Sequence, residues 1–133
     1  MTVFVDASAL VAVLLDEGDA SVLDARMSAR APCFTSPLAV WEAARAISRE
    51  RDVSIQDAQM SVERLLRIAE VQVTAVAPEV RHLAIEAQAR FGKGRHPAAL
   101  NFGDCFAYAC ARHAGAPLLY KGDDFAMTDI EAA

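Results

Sequence analysis

The chain has 133 residues, of which 54% are hydrophobic, and its formal net charge is −5. This composition predicts one folded domain over residues 1–133 and excludes an intrinsically disordered chain. The negative charge argues against a protein that binds nucleic acid through bulk positive charge, although it is compatible with a local basic patch. The longest uncharged apolar run, residues 7–15, is shorter than the roughly 20 residues that a membrane-spanning helix needs.

The N-terminal stretch and the cysteines indicate the cellular compartment of the protein. The N-terminal stretch lacks the basic segment of a secretory signal and continues directly into a strand-like run, so we expect a cytoplasmic protein. The three cysteines, Cys33, Cys105 and Cys110, form no CxxC pair. We therefore expect small buried apolar side chains in a reducing compartment, with neither a disulfide nor a zinc site.

Apolar periodicity and turn residues predict strands that alternate with helices. In chain order, the pattern predicts a strand at 2–5, helices at 8–15 and 20–30, a strand at 32–35, helices at 37–49 and 55–69, a strand at 71–76, a helix at 78–92, a loop at 93–102, a helix at 103–113 and a strand at 117–120. Such alternation is typical of an α/β fold with a parallel sheet and crossover helices.

Capping residues mark several of these helix ends. Asp19, Ser36 and Ser54 each precede a helical pattern and are predicted N-caps. Asp57 follows Ser54 at the spacing of a capping box. Gly115 is predicted to close the last helix, since glycine readily adopts the left-handed conformation found there.

Five carboxylates occupy positions where a site could form. Asp6 directly follows the first strand, and Asp123 and Asp124 follow the last one. In open α/β sheets, ligands bind beyond the carboxyl ends of the strands. Glu42 and Asp104 lie in otherwise apolar helical contexts, from which two helices could direct them into the same cleft.

Each carboxylate also has an ordinary structural explanation. Asp6 could cap the helix that follows it, and the helix dipole favours Asp104 in a first turn. Glu42 could pair with Arg45 or Arg49 on an exposed helix face. The two acids after the last strand could be turn residues.

A cluster of these acids would need a cation. Converging carboxylates repel one another and raise one another's pKa values. Mg²⁺ and Mn²⁺ prefer oxygen ligands, and the three histidines, His82, His96 and His113, are too scattered to offer a softer site. Acidic magnesium sites usually act on phosphates, where the metal activates a water molecule.

Four segments carry a family resemblance. They read VFVDASALVAVL, LAVWEAARAI, GKGRHPAALNFGDCFAYACA and PLLYKGDDFAMTDI, and they span nearly the whole chain. Together they resemble the VapC-type toxins of the PIN-domain ribonucleases. The resemblance implies a PIN-like α/β fold, with a central parallel β-sheet of four or five strands flanked by helices. It also implies an endoribonuclease that depends on Mg²⁺ or Mn²⁺, a VapB-like antitoxin partner, a homodimer and a larger toxin–antitoxin complex.

The resemblance also assigns roles to individual residues. Asp6 and Asp104 would bind the metal, and Glu42 would hold metal-bound water or a second ion. Ser8 matches the small polar position two residues after the first acid. A fourth acid follows the last strand, and we predict Asp123, which is nearer the strand end, with Asp124 as the alternative.

Basic residues near these acids are candidates for RNA contacts. Lys93 and Arg95 precede the helix of Asp104, and Lys121 precedes the final acids. Arg45 and Arg49 lie three and seven residues after Glu42, on the same helix face. The aromatic residues Trp41 and Phe106 are predicted to be core, and stacking on a base is the alternative for an aromatic ring near such a site.

Two rival functions remain open. A haloacid-dehalogenase-type phosphatase also begins with a strand that ends in a nucleophilic aspartate, but it needs a second aspartate where this chain has Ser8. The other rival is a non-catalytic RNA- or protein-binding module of the same fold. Loss of one or more acids would indicate that module, and here all of them are present.

Overall fold

The computed structural model describes residues 2–29 and 32–133. Within them lies a sheet of four parallel strands in the order β3-β2-β1-β4. The strands are β1 (Val3–Val5), β2 (Cys33–Thr35), β3 (Gln72–Val73) and β4 (Leu118–Leu119). The helices are α1 (Ala7–Leu14), α2 (Ala20–Met27), α3 (Pro37–Arg51), α4 (Ile55–Ile68), α5 (Val80–Phe91) and α6 (Phe102–Ala114), with a short 3₁₀ turn at Phe125–Met127. The predicted α/β class and parallel sheet are confirmed.

The sheet separates two apolar cores. Successive side chains of a strand point to opposite faces, so Val5 and Phe4 of the central strand β1 enter different cores. The core around Val5 is closed by α1 to α4, and the core around Phe4 by α5 and α6. Leu118 pairs with Ala132, which places the last residues of the chain beside β4. The helices therefore flank the sheet on both faces, as the sequence pattern predicts.

Most predicted caps are confirmed, and one is wrong. The Ser36 and Ser54 side chains accept hydrogen bonds from the N–H groups of Ala39 and Asp57. Gly115 ends α6 in the left-handed conformation, with φ of +64°. Asp19 makes no capping hydrogen bond, because its φ and ψ of −102° and 12° are not the extended values that an N-cap adopts.

Several element boundaries differ from the prediction. The third strand pairs only at Gln72–Val73 rather than over 71–76, since it is an exposed edge strand with one neighbour. α3 continues to Arg51 and ends where Asp52 takes a positive φ of 53°. α2 ends at Met27, and the predicted end at residue 30 lies outside the described residues, as does residue 1 of the predicted domain.

Two expectations on composition can be compared with the structure. All three cysteine side chains are buried, as predicted. Among the helices of the described ranges, none is long and apolar enough to cross a membrane.

Candidate active site

A groove of about 950 Å³ lies at the carboxyl ends of β1 and β4, between α1, α3 and α6. Asp6, Glu42 and Asp104 line it together, although 98 residues separate the first of them from the last (104 minus 6). We call this feature the acidic groove. The structure thus brings together three of the five acids that the sequence analysis singled out, and Asp123 and Asp124 are not among the residues that line the groove.

Asp6 lies at the bottom of this groove. It directly follows β1, is only 4% exposed, and caps α1 by accepting a hydrogen bond of 3.0 Å from the N–H of Ser8. Burial raises the pKa of Asp6, while the hydrogen bonds from Ser8 lower it. Asp6 is therefore a helix cap and also a buried acid of the groove. The one position does not exclude the other.

Asp104 enters the groove from the first turn of α6. It forms a capping box with Asn101, in which the Asp104 N–H donates to Asn101 Oδ1 (2.9 Å) and the Asn101 N–H donates to Asp104 Oδ2 (3.1 Å). Burial raises the pKa of Asp104 to about 6; the Asn101 hydrogen bond opposes this, and the charges of Asp6 and Asp124 add to it. Sequence reasoning missed Asn101, although an Asn three residues before an Asp at a helix start is a capping signal.

Glu42 faces the two aspartates from α3. Burial, followed by the charges of Asp6 and Asp104, raises the pKa of Glu42 to about 7. Within the described part of the chain no ion pair joins Glu42 to Arg45 or Arg49, so the exposed-pair explanation for Glu42 does not hold.

Gly103 permits the close approach of α6 to Glu42. A Cβ atom added at Gly103 would overlap the Glu42 carboxylate, because both carboxylate oxygens occupy that space. Only glycine leaves this space empty. Sequence reasoning missed Gly103, and the sequence offered no signal for it, since the contact joins residues that are distant in the chain.

The fourth acid stays a prediction, with Asp123 first and Asp124 as its alternative. Gly122, with a positive φ of 100°, turns the chain after Lys121, and both acids are exposed beyond it. Neither acid is among the residues that line the groove. The charge of Asp124 is among the groups that raise the pKa of Asp104.

Ser8 and Lys121 connect the ends of the neighbouring strands β1 and β4. The Ser8 hydroxyl oxygen accepts a hydrogen bond of 3.0 Å from the N–H of Lys121. The Lys121 ammonium group pairs with Glu17 and lies 3.9 Å from Asp19, in the connection between α1 and α2. Lys121 lines the groove as expected, but its charge is already engaged by these two acids rather than left for a phosphate.

The remaining basic candidates divide into two groups. Arg45 and Arg49 are exposed and line the acidic groove. Lys93 and Arg95 are exposed on the loop before α6 and lie outside the residues that line the groove. Of these four cations, only the two arginines of α3 therefore line the groove.

The aromatic residues differ from expectation. Trp41, predicted to be core, is 60% exposed and lines the groove, because α3 directs its small residues Ala39 and Ala43 into the core instead. Phe102, which sequence reasoning did not single out, is 69% exposed and also lines the groove. Phe106 is half-buried and packs against the core, as predicted.

The donor set suits a hard divalent ion held partly through water. The acids of the groove supply only oxygen atoms, and Asp6 is kept buried in spite of its charge. In residues 2–29 and 32–133 no group of three or more His, Cys, Asp or Glu side chains is placed to hold a metal directly. Two direct carboxylates with water in the remaining positions is the usual pattern for Mg²⁺, so Asp6 and Asp104 fit as its holders.

Comparison with known proteins agrees with the geometry. A model of the PIN domain matches residues 3–131. A VapC ribonuclease of Rhizobium meliloti is 37% identical over 96% of this chain and 98% of its own length. A ribonuclease VapC of Mycolicibacterium smegmatis is 40% identical over 96% of this chain and 97% of its own.

Two solved structures have a similar fold. Mycobacterium tuberculosis VapC20, described as a sarcin-ricin loop cleaving toxin, superposes with a TM-score of 0.76 at 17% identity over 98% of each chain. A chain of VapBC2 from Rickettsia felis, solved bound to a DNA fragment from its promoter, superposes with a TM-score of 0.73 at 12% identity over 99% of this chain and 96% of that one. At such low identities these two likenesses concern the fold alone.

Proposed function

The chain belongs to the PIN-domain family and to the VapC ribonucleases within it, and from this premise we propose that it is a metal-dependent endoribonuclease, the toxin of a toxin–antitoxin pair. One observation carries the proposal: Asp6, Glu42 and Asp104 share one groove, where burial and the charge of Asp6 raise the pKa values of both Glu42 and Asp104. Within the described residues, no ion pair compensates any of the three. A divalent cation would supply the missing compensation.

Each residue of the site has a role in this proposal. Asp6 and Asp104 hold Mg²⁺ or Mn²⁺, which when bound polarises the scissile phosphate and lowers the pKa of a water molecule. Glu42, which faces both aspartates from α3, holds metal-bound water or a second ion. The acid after β4, Asp123 or its alternative Asp124, supplies the fourth carboxylate. By the family resemblance, the products carry a 5′-phosphate and a 3′-hydroxyl.

The proposal extends to partners. The complex in which VapBC2 from Rickettsia felis was solved supports a VapB-like antitoxin as partner. By the family resemblance, a segment of the antitoxin occupies the acidic groove. We also propose a homodimer, its assembly into a larger complex with the antitoxin, and action on cytoplasmic RNA.

The rival functions fit the site less well. At the position of a phosphatase's second aspartate stands Ser8, whose hydroxyl oxygen binds the N–H of Lys121. A non-catalytic module would have no need to keep three carboxylates in one groove, where burial and the charge of Asp6 raise the pKa values of the other two. The intact acid set therefore favours the nuclease.

A cleavage assay with two aspartate variants tests the proposal. Asp104→Asn removes a metal ligand of the groove, whereas Asp57→Asn changes an aspartate at the same helical position of α4, remote from the groove. We expect Asp104→Asn to lose at least about 100-fold in cleavage rate and Asp57→Asn to retain the wild-type rate. Cleavage should need Mg²⁺ or Mn²⁺ and stop in EDTA. Wild-type cleavage in EDTA, or by Asp104→Asn, would contradict the proposal.

A further inference from the structure

Two exposed aromatic residues lie next to the contact between α3 and α6, one on each helix. Trp41 immediately precedes Glu42, and Phe102 immediately precedes Gly103, whose missing side chain leaves room for the Glu42 carboxylate. Both rings line the acidic groove and are more than half exposed. The pair therefore lies beside the acids rather than on a remote surface.

Each ring is supported by a neighbour on its own helix. The Phe102 ring packs on Phe106, with 5.0 Å between ring centroids, and Phe106 in turn contacts the core. The guanidinium carbon of Arg45 lies 5.7 Å from the centroid of the Trp41 ring. Two large rings that are held in place and yet exposed in a groove indicate a surface that binds a ligand.

The charges beside the rings identify the ligand class. Arg45 and Arg49 line the groove together with Trp41 and can contact phosphates. Arginines combined with exposed aromatic rings are the usual surface for single-stranded nucleic acid, whose bases are free to stack. The bases of a duplex are already stacked on one another and cannot reach such rings.

We propose that Trp41 and Phe102 stack on two unpaired bases of the RNA beside the acids. The two rings then position the RNA for cleavage. This inference rests on the proposed ribonuclease function and adds two positioning residues to it.

Tryptophan fluorescence tests the proposal directly, because Trp41 is the only tryptophan of the chain. In EDTA, which keeps the RNA intact, the protein is titrated with a short single-stranded RNA of mixed sequence. The same titration is made with the duplex of that sequence and with an oligomer of equal length that carries abasic ribose phosphates. We expect the single-stranded RNA to quench Trp41 and to bind at least about 30-fold more tightly than the abasic oligomer, since two stacked bases contribute about 2 kcal/mol or more. Equal binding and quenching by the abasic oligomer or by the duplex would overturn the proposal.

Variants separate stacking from packing. Phe102→Ala and Phe102→Leu should both weaken binding of the single-stranded RNA by at least about 5-fold, whereas Trp41→Phe should retain most of it. Ile85→Ala removes another exposed apolar side chain, on α5 and away from the groove, and should leave binding unchanged. If Phe102→Leu binds RNA as tightly as the wild type, the proposed stacking role of the ring is refuted. If the same variant has also lost antitoxin binding, the ring belongs to the contact with the protein partner.

The same experiments distinguish the two proposals. If the RNA quenches Trp41 but no metal supports cleavage, the ribonuclease function fails while the stacking surface stands. If wild-type protein cleaves RNA with Mg²⁺ and the abasic oligomer binds as tightly as RNA, only the stacking inference fails.

Discussion

Replacing Glu42 with glutamine should stabilise the metal-free protein above neutral pH. The pKa of Glu42 rises from its ordinary value of 4.5 to about 7 in the folded chain. Between these two values the folded state holds more protons than the unfolded state, so stability falls as the pH rises through this range. Below about pH 4.5 the carboxyl group is protonated in both states and costs nothing. Ionised Glu42 therefore destabilises the fold above about pH 7 unless a cation is bound.

The size of this effect follows from the two pKa values. A difference of about 2.5 corresponds to about 3.4 kcal/mol if water does not screen the charge. Glu42 is only partly buried, so we halve the figure for solvent screening and expect about 1.7 kcal/mol. For a chain of 133 residues, this corresponds to a rise in Tm of about 6 °C for Glu42→Gln at pH 8.

Thermal and urea unfolding in EDTA at pH 4 and pH 8 measure the difference. Glu42→Gln should match the wild type at pH 4 and exceed it at pH 8, while Glu63→Gln, on the exposed side of α4, should match it at both. A Glu42→Gln protein that is less stable than the wild type at pH 8, or that keeps the wild-type dependence on pH, would refute the reasoning.

Three further outcomes are expected. Mg²⁺ at about 100 times its Kd for the wild type should stabilise the wild type by about 2.7 kcal/mol at pH 8 and the Glu42→Gln protein by less, as measured by urea unfolding. Equal stabilisation of the two proteins would show that Glu42 takes no part in the metal site. Gly103→Ala should keep the fold but displace the Glu42 carboxylate and lower cleavage about 100-fold, since one misplaced catalytic group has that order of effect. Gly18→Ala, which meets no atom within 4 Å, serves as its control in the cleavage assay, and equal rates for both variants would contradict the assignment. Asn101→Ala should lower stability by about 1 kcal/mol through loss of the cap, as Ser54→Ala should for α4, but only Asn101→Ala should also lower cleavage.

The sequence by itself determined the features that depend on neighbouring residues. Strand and helix patterns, the caps at Ser36 and Ser54 and the left-handed Gly115 follow from local conformational preference, and the structure agrees with each of them. The alternation of these elements was sufficient for the α/β class. The acids could be proposed as a set because parallel strands and their crossover helices meet at one edge of the sheet.

Tertiary structure decided what depends on residues far apart in the chain. Whether a helix residue faces the core or a groove depends on what packs against that helix, so Trp41 was misplaced while its neighbour Glu42 was not. The pairing of Lys121 with Glu17 and the closeness of Gly103 to Glu42 join distant segments, and no local sequence pattern predicts these contacts. Local preference determines which elements form, whereas the charge and exposure of a site arise only when those elements pack together.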